Sequence, residues 1–149
     1  MEKNPITIEA TINAPLSKVW EYWNSPEHIT QWAFAADDWE ASDAKNDLRE
    51  GGKFSTIMSA KDKSASFEFG GVYSVVEEIS RIEYDMSDGR HVSTEFSETA
   101  ARLDEASGEV REGVKVTQTF DPEQENPRDM QRDGWQAILD NFKKHVENN

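Results

Sequence analysis

Three histidines and an acidic triplet are the residues of this chain best suited to chemistry. His28, His91 and His145 supply imidazoles for proton transfer or metal ligation, yet no His-x-x-x-His spacing joins them. The chain has no cysteine, which removes thiolate nucleophiles, cysteine-based zinc sites and disulfides together. Asp37, Asp38 and Glu40 crowd one segment and offer a carboxylate pair for acid–base work or oxygens for a hard cation. A solvated acidic loop is the favoured reading of that cluster, because 30 Asp and Glu against 16 Lys and Arg produce such runs anyway. There is no Gly-x-Ser-x-Gly elbow, phosphate-cradling loop or dinucleotide fingerprint; Gly51-Gly52 reads as a turn and Gly70-Gly71 as a bulge or tight bend in a strand. The expectation is therefore no catalytic set, no metal and no cofactor.

The formal charge of −14 repels phosphate backbones and anionic lipid surfaces, so neither nucleic acid nor membrane is expected as a partner. Met1-Glu2-Lys3-Asn4-Pro5 lacks an apolar signal core, and no run approaches the ~18 apolar residues of a membrane span, which makes the cytoplasm the expected location.

The elements that must position any site follow from periodicity. Ile6, Ile8, Ala10 and Ile12 alternate along a first half-buried strand. Pro15 at a first helical position, then Val19, Trp20 and Trp23, give a short helix over 15–23. Ser25 as cap and Pro26 as first residue start a second, which buries Ile29 and Trp32. After Trp39 the pattern becomes β, broken by Gly51-Gly52, Lys61-Asp62-Lys63, Asp88-Gly89 and Ser107-Gly108. Strands are expected around Phe54, Thr56 and Met58; Phe67, Phe69 and Val72 to Val76; Ile82 and Tyr84; Val92, Thr94 and Phe96; and Val114 to Phe120. Short connections between them imply an antiparallel meander. Asn126 as cap, Pro127 as first helical residue and Asp129 open a last helix of about 20 residues, with Trp135, Ile138, Leu139, Phe142 and Val146 on one stripe. With no repeat or linker, residues 1–149 are expected to form one α+β domain, its helices on one face of a curved antiparallel sheet of about six to seven strands.

A twisted sheet curling around a single helix leaves space beside that helix, and such apolar concavities take small ligands. Aromatic residues exceed what a small core needs, so some are expected to line a pocket and the rest to be plain core. The candidates are Trp32, Phe34, Trp39, Phe54, Phe69 and Tyr84, then Phe96 and Trp135, with Met58 and Leu139 on the same faces. Thr56, Thr94 and Gln118 share strand faces with apolar residues; Gln118 either orients a ligand or sits near a strand end and reaches water. Gly134, inside the last helix, should cost about 1 kcal/mol relative to Ala. Its missing side chain admits a ligand or backbone, or marks an ordinary packing contact.

Several segments taken together carry a family resemblance: APLSKVWEYWNSPEHITQW, GGKF, FGGVYSVVE, the DGR turn and MQRDGWQAILDNFKKHVE. They resemble bacterial proteins similar to the activator of heat-shock protein 90 ATPase, within the START-like, pollen-allergen-like helix-grip (SRPBCC) superfamily, over about Ile6 to Glu147. The resemblance implies a helix-grip fold and three functions found on that scaffold. The first is binding of a small hydrophobic or amphipathic molecule between sheet and C-terminal helix. The second is a chaperone-linked interaction module with heat-shock protein 90 as partner, and the third a cyclase- or hydrolase-type enzyme acting on an aromatic metabolite. The lack of a catalytic set favours the first.

Overall fold

The computed structural model describes residues 4–103 and 110–149. Strand β1 (Ile6–Ile12) is followed by helices α1 (Leu16–Asn24) and α2 (Pro26–Trp32). A meander of β2 (Trp39–Asn46), β3 (Lys53–Ala60), β4 (Ser66–Glu77), β5 (Arg81–Met86), β6 (His91–Leu103) and β7 (Val110–Phe120) leads to helix α3 (Arg128–Glu147). All neighbours in the sheet are antiparallel, in the order β1-β7-β6-β5-β4-β3-β2. Because β1 and β2 are the two edges, α1 and α2 carry the chain from one side of the sheet to the other, across the concave face that α3 also occupies. The helix-grip expectation describes this arrangement.

The sequence pattern explains most of these elements. In β1 the four expected residues point inward and the three between them outward, in register from Ile6 opposite Phe120 to Ile12 opposite Val114. Val19, Val114, Val116, Phe142 and Val146 have no exposed surface, and they fill the end of the concave face beneath α1 and α2. Two residues that share a strand pairing point to the same side of a sheet, so one buried strand dictates the inward set of its neighbour.

Three local expectations change. Strand β2 was not resolved as a separate element from the sequence, since Trp-Glu-Ala-Ser-Asp-Ala-Lys-Asn carries little apolar alternation; it is held instead by pairing with β3 and by packing against α2. Its register shifts between Ser42 and Lys45, where Asp43 takes a positive φ of 49°. Such a bulge sharpens the twist. Gly70 and Gly71 keep regular register with Ser55 and Phe54, and the irregularity of β4 falls later, between Tyr73 and Val75. The glycines answer a different need: a Cβ would come within 2.5 Å of the Phe54 carbonyl at Gly70 and of the Asp85 carbonyl at Gly71.

The helix starts also shift by a residue. Pro15 and Pro127 occupy cap positions rather than first helical positions, and neither they nor Ser25 makes a side-chain cap bond. Proline suits a helix start because it has no N–H to leave unsatisfied and its φ is already near the helical value. Asn126, expected as the cap of α3, instead donates to Glu123 Oε1. Ser107-Gly108, expected as a connection, lies outside the described residues.

Candidate cavity between the sheet and the C-terminal helix

The concave face is filled at one end and open at the other. At the filled end, Trp23, Trp32 and Phe142 meet with ring centroids 4.8–4.9 Å apart, and the Trp32 indole donates to the Tyr22 carbonyl at 3.0 Å. Beyond this aromatic plug, β3–β5 curl away from α3 and enclose a cavity of about 550 Å³. Volumes of roughly 300–1,000 Å³ are usual for small-molecule sites.

Helix α3 contributes one wall. The stripe anticipated from spacing divides: Leu139, Phe142 and Val146 are buried, whereas Trp135 and Ile138 are half-buried and border the cavity beside Leu139. Trp135 stacks on Phe120 at 4.0 Å, which fixes its indole as part of that wall. The sheet supplies the opposite wall through Phe54, Met58, Phe69 and Tyr84, with Gln118 further across and Trp32 from the end of α2. Phe54 meets the Tyr84 ring edge-on at 4.7 Å and lies 5.0 Å from Tyr73, an arrangement favoured by aromatic quadrupoles.

Three expected residues lie off the cavity. Phe96 is wedged between Trp20 at 5.4 Å and Trp23 at 5.6 Å under α1. Trp39 sits on the edge strand β2 opposite Ala60, facing the Phe67 ring at 5.9 Å. Phe34 follows α2, where Asn141 donates to its carbonyl and to that of Trp32. In each case the residue type was suitable, but the short helices and edge strand decide which part of the inward face stays open. Conversely, Ile82, Met86, Tyr73 and Arg90 line the cavity and were not singled out. Hairpin register places Met86 opposite Arg90 and Tyr84 opposite Val92, a signal present in the expected Asp88-Gly89 turn.

Polar groups also border this space, the charged Lys45, Glu68, Asp88, Arg90 and Glu123 among them. Gln118 is buried and its amide donates to Thr94 Oγ1 at 3.1 Å, leaving its carbonyl without a partner among the described residues. Thr56 is likewise buried on the cavity wall. The Tyr84 hydroxyl makes no hydrogen bond to a described residue, although the side chain is only 7% exposed. Burial holds the Tyr84 hydroxyl well above the ordinary tyrosine range, reinforced by Tyr73 and opposed by Arg90. Tyr73 is displaced the same way, chiefly by burial, while its bond to Asn46 Oδ1 opposes the shift. Both phenols are neutral donors at physiological pH. Gly134 faces the cavity, and a Cβ there would meet nothing within 4 Å, so open space rather than a close packing contact explains the position.

The other candidates lie elsewhere. Asp37 and Asp38 are exposed in the turn before β2, as in a solvated loop, whereas Glu40 is exposed on β2 itself, opposite Ser59. His28 and His145, distant in sequence, come within 2.9 Å of each other, whereas His91 lies on β6 between Glu83 and Asp85. Among the described residues no cluster of three or more His, Cys, Asp or Glu could hold a metal ion, and no helix is long and apolar enough to cross a membrane.

Known structures share this architecture. An AHSA1-like protein from Aeromonas hydrophila is 39% identical over 97% of this chain and 93% of its own, with a TM-score of 0.82. A protein from Cytophaga hutchinsonii is 45% identical over 97% and 92%, with a TM-score of 0.75. At 18% identity, a protein from Chromobacterium violaceum still reaches a TM-score of 0.78 over 98% and 99%, a likeness of fold. No curated protein matches the chain. The family model described as Activator of Hsp90 ATPase homolog 1-like protein matches residues 13–147, and with that span covering both the helix crossover and the cavity walls, the chain belongs to this family.

Proposed function

We propose that the protein binds a small hydrophobic or amphipathic molecule in the cavity between the sheet and α3. One observation carries this reading: an aromatic-walled space of about 550 Å³ lined by Phe54, Phe69, Tyr84 and Trp135. A concave space of this size with aromatic walls offers a small molecule apolar area to bury against, with the Tyr84 hydroxyl as a hydrogen-bond donor on the same wall. The interior phenols are neutral, which suits orientation of a ligand more than acid–base turnover.

Native mass spectrometry of the purified protein, followed by thermal shift with lipids, flavonoid-like aromatics and polyketide fragments, tests the reading. Ligand at about 100 times its Kd should stabilise the fold by about 2.7 kcal/mol. Gly134→Trp, which places an indole in the open space, should remove that stabilisation. A protein that carries no extra mass and is unmoved by the whole panel would overturn it.

The family match supports a second reading, a module that engages heat-shock protein 90. It predicts capture of the bacterial chaperone at micromolar concentration by both the native protein and Gly134→Trp, since the cavity would not be the contact.

A further inference from the structure

The cavity has a polar end as well as apolar walls. Arg90 follows the Asp88-Gly89 turn, and its pairing with Met86 across the hairpin sets its side chain on the same concave face as Tyr84. Asp88 accepts from the Arg90 backbone N–H at 3.1 Å and from Nε at 2.7 Å, so one carboxylate fixes both the turn and the base of the guanidinium. The two terminal nitrogens of Arg90 make no hydrogen bond to a described residue. Arg90 and Tyr84 both line the cavity, from adjacent inward rows of the β5–β6 hairpin. A planar fork of N–H donors beside a phenolic O–H matches the two oxygens of a carboxylate.

We infer that the ligand is an amphipathic monocarboxylic acid with an aromatic or otherwise bulky apolar body, its carboxylate held by Arg90 and Tyr84 and its body lying against Trp135, Leu139, Phe54 and Phe69. This rests on the cavity being a ligand site and adds the chemical class. The direction of the molecule follows from the sheet. The row of inward residues containing Arg90 and Met86 lies at the hairpin end, the row of Tyr84 and Val92 comes next, and Ile82, Thr94 and Gln118 lie one row deeper. Charge at the rim restricts the class further. Lys45, Glu68 and Glu123 border the same cavity, and Asp88 already offsets part of the Arg90 charge, so acidic groups outnumber basic ones there and a single negative charge is accommodated better than the multiple charge of a phosphate. The preference for an anion is local, in a chain whose formal charge is −14.

Biphenyl-4-carboxylic acid and biphenyl-4-carboxamide share one apolar body and differ in charge, and their Kd values can be compared by calorimetry. The acid should bind at least about tenfold more tightly than the carboxamide, as one charged hydrogen bond implies. Arg90→Gln should bring that ratio close to one, chiefly by weakening acid binding, and Tyr84→Phe should narrow it. Arg90→Lys keeps the charge and loses the fork, so it should retain part of the ratio; it provides a second reading should Arg90→Gln melt at a lower temperature. Equal affinities for acid and carboxamide, both lost in Gly134→Trp, would overturn the carboxylate assignment and leave the cavity reading standing. An acid preference that survives Arg90→Gln, or that survives Gly134→Trp as surface binding, overturns the assignment as well. If neither probe binds the native protein, the carboxylate class is rejected, and the broader ligand panel then decides the cavity reading separately.

Discussion

The indole of Trp135 lies flat on the ring of Phe120, with centroids 4.0 Å apart and planes within 8°. Phe120 is fully buried and pairs with Ile6 and Val92 in the sheet, whereas Trp135 is half-buried on α3. The stack therefore joins the helix to the sheet at the point where the filled core gives way to the cavity.

Trp135→Ala removes that contact and enlarges the cavity. Aromatic-to-alanine changes in cores cost about 3–5 kcal/mol, and the half-buried position places this one near the lower end. Chemical denaturation should show the loss, and Trp135→Phe should restore most of it. A loss below about 1 kcal/mol would mean that the stack does not anchor α3.

Gly134→Ala should stabilise the protein by about 1 kcal/mol, the helix-propensity difference, since no atom stands within 4 Å of the added Cβ. The melting temperature reads this directly. A decrease would show that the backbone of α3 approaches the sheet more closely than the cavity allows.

His91 and His145 should titrate on opposite sides of the ordinary histidine value. Hydrogen bonds that the His91 ring donates to Asp85 at 2.8 Å and Glu83 at 2.7 Å hold its pKa above the ordinary 6.5. Burial, with His28 and Lys18 nearby, holds that of His145 below it. His91 therefore favours the fold fully below pH 6.5, and this contribution fades as pH rises through its raised value. His145 behaves conversely: its neutral form is the one accommodated, so stability is lost as pH falls from 6.5 through its lowered value. Histidine ring-proton NMR should resolve the two midpoints on either side of 6.5, and coincident midpoints would refute both assignments.

Gln131 should behave as a structural polar residue. It is buried at the start of α3, where its carbonyl oxygen accepts from the Glu123 N–H at 2.8 Å and its amide donates to the carbonyls of Glu123 and Asn126. These bonds hold the connection from β7 to α3 in the place of a capping side chain. Gln131→Leu strands the three backbone groups and should cost about 1–3 kcal/mol, seen as a lower denaturation midpoint. An unchanged midpoint would show that water replaces the amide.

Much of this architecture was legible in the sequence because periodicity reports burial. Strict alternation at Ile6, Ile8, Ala10 and Ile12 admits one strand orientation, and the stripe from Trp135 to Val146 admits one helix face. Strand β2 was not legible, because an edge strand with a bulge buries too little to show a pattern. Gln131 escaped notice for a related reason: polarity in a helix's first turn reads as exposure unless the loop it binds is known.

Residue type and spacing by themselves determined the order of every element but β2, most inward faces, the absence of cysteine chemistry and a family resemblance consistent with the match over residues 13–147. Only the tertiary structure decided which inward residues meet open space. Phe96 and Tyr84 sit on inward faces of adjacent strands and are equally aromatic, yet α1 covers the first and leaves the second facing the cavity. Periodicity is a property of one element against its own axis, whereas a cavity arises where three elements fail to meet. Its position therefore depends on helix crossings and sheet curvature set by long-range contacts, which no local pattern encodes.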